Sequence, residues 1–121
     1  MKPGARIGDI SAAVQTFAER HGYGVVTALQ GHGVGRKLHE DPAIPNYGKA
    51  GTGVRLKAGM TLAIEPMINM GVADVRFGRD GWTCRTADGQ PSAHYENTVL
   101  VTDDGYELLT AYELWTEADN A

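Results

Sequence analysis

Only one stretch of this chain carries a helical repeat, and that bounds the fold more tightly than anything else in it. Ile10, Ala13, Val14, Phe17, Ala18 and His21 recur at the spacing of one helix face. Asp9 sits in the first turn, where its charge suits the positive end of the helix dipole. Gly22 follows the last periodic residue, as a C′ residue does. No helical period returns after it. Glycine makes up 16 of the 121 residues, about twice the usual share, and with proline it cuts the rest into short runs. These read as strands over 24–29, 61–67, 72–77, 82–85, 92–101 and 106–109. Turn signals separate several of them, at Gly78-Arg79-Asp80-Gly81, Ala87-Asp88-Gly89-Gln90 and Asp103-Asp104-Gly105. The range 36–57 holds Pro42, Pro45, Gly48, Gly51 and Gly53 and reads as one long loop. The expected class is α+β, one covering helix on a mostly antiparallel sheet. A single domain is expected over 1–121, with 111–121 as a frayed, polar, acidic tail.

Charge narrows the function. Lys plus Arg is 11 and Asp plus Glu is 15, a formal charge of −4, which argues against a nucleic-acid partner. No apolar run reaches the ~18 residues of a membrane span, and the first nine residues lack a signal-peptide core. One cysteine excludes an internal disulfide framework. The expected compartment is the cytoplasm. Cys84, in a strand pattern two residues from Trp82, is expected as a buried, inert thiol. Three common motifs are absent. His39-Glu40-Asp41-Pro42-Ala43 is not HExxH, because Ala43 replaces the second histidine and Pro42 breaks the helix it needs. The alternating Gly31, Gly33 and Gly35 match neither GxGxxG nor a P-loop. There is no Gly-x-Ser-x-Gly elbow.

What remains is a set of ligand-type side chains at element ends. Glu65 interrupts the apolar run 61–67. It is either a buried carboxylate that needs a partner, a metal or a shifted pKa, or a strand end emerging into water ahead of Pro66. In 92–101 a period of two puts His94, Glu96, Thr98 and Leu100 on one face. His94 and Glu96 then present two ligand atoms side by side, although a solvated strand start explains them singly. His32 lies between two glycines, which let the backbone come close to something, or it is an ordinary surface histidine. His39 follows seven positions later. Histidines and carboxylates in this proportion suit a mid-series divalent ion such as Mn, Fe, Co or Zn.

Three blocks carry a resemblance. Gly31-His32-Gly33-Val34-Gly35-Arg36 with His39-Glu40 and Pro42 resembles the GHGIGxxxHExP segment of type I methionine aminopeptidases. Gly59-Met60-Thr61-Leu62-Ala63-Ile64-Glu65-Pro66-Met67 is similar to that family's GMxxxIEPM strand. Asp80-Gly81-Trp82-Thr83 and Ser92-Ala93-His94-Tyr95-Glu96-Asn97-Thr98 resemble its DGWT and SAQxEHT segments. The likeness runs from about Lys2 to Thr110. It implies a pita-bread fold, two pseudo-symmetric α/β halves around a site for up to two divalent ions. It implies that His32, Glu65 and Glu96 are metal ligands, Glu96 bridging. His39 would contact the scissile peptide group, Glu65 would also carry a proton, and Trp82 would lie near the substrate pocket. The implied substrate is the N-terminal methionine of nascent chains and peptides.

The departures shape the remaining expectations. The family's other two ligands are aspartates roughly eleven positions apart, and no two aspartates here stand eleven apart. The chain is therefore expected to be the C-terminal half of such a domain. Its partner would be the missing N-terminal half or a second copy. Isolated activity is expected to be low, and apolar sheet surface to be exposed or paired. Leu38 stands where an aromatic is common. His94 and Asn97 replace a glutamine and a histidine beside Glu96, so His94 adds either a ligand or a hydrogen bond. Two other readings are carried: a non-catalytic binding module on half the scaffold, and an Xaa-Pro-type peptidase of the same fold. Met67, where those peptidases have glycine, speaks against the second.

Overall fold

A computed structural model describes residues 1–110, so the tail expected over 111–121 lies outside the described residues. Helix α1 spans Ile7–Arg20. The strands are β1 Gly24–Val25, β2 Gly31–Gly33, β3 Glu40–Ile44, β4 Thr61–Ile64, β5 Met67–Asn69, β6 Val75–Phe77, β7 Cys84–Thr86, β8 Ser92–His94, β9 Asn97–Val101 and β10 Tyr106–Leu108. Every strand pairing is antiparallel. They make a five-stranded sheet in the order β10-β9-β4-β2-β3, a three-stranded sheet β1-β5-β8 and a two-stranded ribbon β6-β7. The α+β expectation holds. No helix among the described residues is long and apolar enough to cross a membrane.

The helix ends form as its sequence suggests. Asp9 accepts the N–H of Arg6 at 2.7 Å, satisfying a donor ahead of the first turn. Gly22 has φ +80°. Its N–H bonds to Glu19 O and that of Tyr23 to Ala18 O, a Schellman ending that glycine allows at no steric cost. The buried side of α1 differs from the one the repeat marks. Ile7, Gly8, Ser11 and Ala18 are buried, while Phe17 is 70% exposed and tilts against His21. The helix docks through small residues. A Cβ on Gly8 would lie 2.3 Å from Lys49 O, and Ser11 Oγ donates to Pro45 O. Close approach on that side carries the apolar stripe partly out of contact. Ile7 joins Ile44, Leu56, Leu62 and Val101 in the main core cluster.

Three strand expectations and one loop expectation are corrected. The run 24–29 is regular only over Gly24–Val25, after which Val26 N–H bonds to Met67 O. The long loop 36–57 contains β3, with Pro42 inside it. β3 is the sheet's edge, where a residue without an N–H is tolerated. The runs 61–67 and 92–101 are each two strands, broken at Glu65-Pro66 and at Tyr95-Glu96. β4 pairs β9 in one sheet and β5 pairs β8 in the other. A two-stranded ribbon thus turns a corner between sheets, and its register is kept across the break. Ile64 faces Asn97 before it and Met67 faces His94 after it, so Glu65 stands opposite Glu96.

Candidate metal centre

The corner explains the convergence. His32 pairs with Ala63, and Ala63 with Thr98, across neighbouring strands. Paired residues share a face, and side chains two positions along return to it. Glu65 lies two beyond Ala63 and Glu96 two before Thr98, so all three side chains project from one side. Ala63, fully buried and small, leaves room between them. One ligand atom each from His32, Glu65 and Glu96 lies within 4.8 Å of the others. The glycines flanking His32 serve strand packing. A Cβ on Gly31 would sit 2.2 Å from Ala63 O, and one on Gly33 2.2 Å from Asp41 O.

The donor set can be tested against a cation. His32 Nδ1 lies 2.9 Å from Gly33 O, an acceptor, so Nδ1 carries the proton. Nε2 then faces Glu65 Oε1 at 3.1 Å. A lone pair and a carboxylate oxygen at that distance require a positive group between them, a proton or a metal ion. The side chains are only 12% and 14% exposed, and a carboxylate so covered needs a charged or hydrogen-bonded partner. The set therefore fits a divalent ion.

His94 closes the other side of the same carboxylate, with Nε2 at 3.2 Å from Glu65 Oε2 and 4.0 Å from Glu96 Oε2. His39 stacks near His32, ring centroids 4.1 Å apart. Both line an open groove of about 640 Å³, with Gln30, Lys37, Glu40 and Asp41. Trp82 is not brought to the cluster. It stands 89% exposed in the β6–β7 turn and lines neither that groove nor the small cavity beside Cys84. Cys84 is exposed, against expectation, because β6 and β7 form a ribbon paired with no further strand among the described residues.

Two supporting residues had no signal in the sequence. Asn46 is 1% exposed and donates to the backbone carbonyl of Glu65 at 3.3 Å. Thr110 Oγ1 accepts the N–H of Thr98 and donates to Asn97 Oδ1, both at 2.9 Å, just past Glu96. A polar residue in an irregular segment looks the same whether it is buried or solvated.

Comparison with known proteins extends these observations. The profile of metallopeptidase family M24 matches residues 1–103. Methionine aminopeptidase B of Synechocystis is 51% identical over 110 residues, 91% of this chain and 40% of the relative. The methionine aminopeptidase of Clostridium perfringens is 55% identical over 105 residues, 87% of this chain and 42% of the relative. The crystal structure of methionine aminopeptidase from Rickettsia prowazekii superposes with a TM-score of 0.89 at 50% identity, over 91% of this chain and 45% of that one. Prolidase from Pyrococcus furiosus superposes with a TM-score of 0.66 at 29% identity, over 93% and 27%. This chain spans less than half the length of each of these relatives. The fold is the pita-bread arrangement of its neighbours, in part.

Proposed function

Because this chain belongs to metallopeptidase family M24, we propose that it is part of a methionine aminopeptidase, which removes the N-terminal methionine of nascent proteins and peptides. The observation that carries this reading is the Glu65 carboxylate facing the Nε2 of a tautomer-set His32, with Glu96 beside them. Its relatives' names support a peptidase over a non-catalytic binding module.

In this proposal His32, Glu65 and Glu96 hold divalent metal, Co, Mn, Fe or Zn, with up to two ions in the complete enzyme. Such an ion, when bound, lowers the pKa of its water and polarises the scissile carbonyl. Glu65, screened from solvent, holds a proton in the reaction and hands it to the leaving amine. His39, in the groove beside His32, hydrogen-bonds the substrate's peptide group. Trp82 offers an apolar face suited to the methionine thioether. It would do so once substrate or the rest of the enzyme meets the ribbon. The two further acidic ligands and the opposite wall come from an N-terminal half outside these 121 residues. The working compartment is the cytoplasm.

The chain alone should then release little or no methionine. The test incubates it with metal and a Met-Ala-Ser peptide, alone and joined to the N-terminal half of the C. perfringens relative. Methionine release is expected only from the joined protein, and Glu96→Gln should abolish it. A joined protein that folds and binds metal yet releases nothing would overturn the reading. A panel including Xaa-Pro peptides separates it from prolidase-type specificity.

A further inference from the structure

Glu65 is flanked by imidazoles on both of its oxygens, and only one of them has been given a role. His94 ends β8, and the alternation of side chains brings it to the face that carries Glu96. We propose that His94 supplies a second imidazole donor to the cation site, on the Glu65 Oε2 side. The group of His32, Glu65 and Glu96, whose ligand atoms lie within 4.8 Å of one another, is then extended by His94, which meets it through the two carboxylates. The inference rests on the reading of His32, Glu65 and Glu96 as ligands, and adds to it.

The distances have the right size. With donors ~2.0–2.1 Å from an ion, neighbouring donors stand about 3.0–3.4 Å apart and opposed ones about 4.2 Å. His94 Nε2 is 3.2 Å from Glu65 Oε2 and 4.0 Å from Glu96 Oε2. His94 Nε2 is in hydrogen-bond reach of Glu65 Oε2 alone, and its 4.0 Å separation from Glu96 Oε2 is too long for a hydrogen bond but of the size expected between two donors of one ion. An imidazole nitrogen is a stronger donor than an amide oxygen toward a mid-series divalent ion. The ring is about half exposed, at 47%, so it can adjust to an ion without repacking the core. With His94 in the set, metal binding does not depend on residues outside the chain, even where peptidase activity does.

The test uses the 121-residue chain with isotope-labelled histidines, loaded with NMR-active cadmium. A ring nitrogen bonded to the ion then shows direct coupling to it. Wild type should show two coupled imidazoles, and His94→Gln one. The affinity for Co(II) should fall about tenfold or more in that variant. Two coupled imidazoles that persist in His94→Gln would identify His39 as the second donor and overturn the proposal. One coupled imidazole in wild type, lost in His32→Ala and unchanged in His94→Gln, would overturn it and leave the three-residue site standing. A folded wild-type chain that binds neither ion would overturn both.

Discussion

Asp80 ties the turn between β6 and β7 together from its side chain, beside the backbone bond from Gly78 N–H to Thr83 O. Its carboxylate accepts the Thr83 hydroxyl, the Thr83 N–H at 2.9 Å and the Trp82 N–H at 3.0 Å. These bonds favour the ionised form and lower its pKa to about 2. The fold therefore gains from the ionised carboxylate throughout the range above 3.8, and loses that gain as pH falls through about 2. The Trp82 and Thr83 amide resonances should shift with a midpoint near 2, and a midpoint near 3.8 would refute the assignment. Backbone N–H groups also lower the pKa of Asp9, from Arg6 and Gly51, and of Asp88, from Val72 and Gln90. All three aspartates were legible in sequence, two in turn motifs and one in a helix first turn, because their partners are mostly local. Cys84 was not. Its pattern is that of a buried strand residue, and its exposure follows from β6–β7 pairing with no other strand among the described residues.

Strands β2, β3 and β4 approach one another closely enough to exclude side chains at two points. A Cβ at Gly31 meets Ala63 O and then Ile44 Cβ, at 2.2 and 3.3 Å, and neither can swing aside. At Gly35 the obstacle is the Glu40 carboxylate at 2.3 Å, the mobile end of an exposed side chain. Gly31→Ala should destabilise the chain by about 1–3 kcal/mol and weaken metal binding by displacing His32. Gly35→Ala should change stability by about 0.5 kcal/mol. Urea unfolding of the two variants checks this, and equal losses would contradict it. Apart from β2 and β3, which no expected strand covered, the strands were largely legible, since alternation and turn residues act over a few positions. Their interruption at Glu65-Pro66 and Tyr95-Glu96 was not, because a corner between sheets leaves the period of two intact. Pro42 misled in the other direction. It reads as a loop residue, and only its place on an edge strand makes it compatible with β3.

At the scale of the whole molecule, the sheet face opposite the carboxylates is only partly covered. One open groove is lined by Ile64, Pro66, Tyr95, Val99, Tyr106 and Leu108. A second runs along Ile10, Ala13 and Val14 of α1, and both reach Met1 and Ile64. The part of the helix repeat at Ile10, Ala13 and Val14, of which Ile10 also packs against the core cluster, thus borders the exposed side of the sheet at Met1 and Ile64. Patches of this kind bind hydrophobic dyes or drive association. The isolated chain should bind such a dye or self-associate at micromolar concentration. Joining it to the N-terminal half should suppress both. Sedimentation and dye fluorescence measure this, and a non-binding monomer would count against it. The sequence by itself determined the helix and its ends, most turns, the strand segments outside β2 and β3 and the chemical types of the site residues, all of which follow from interactions a few residues long. Only the tertiary structure decided which side of α1 is buried and that His32, Glu65, Glu96 and His94 meet. Those outcomes depend on which strands pair, in what register and around which corner, and the groups that settle them lie far apart along the chain.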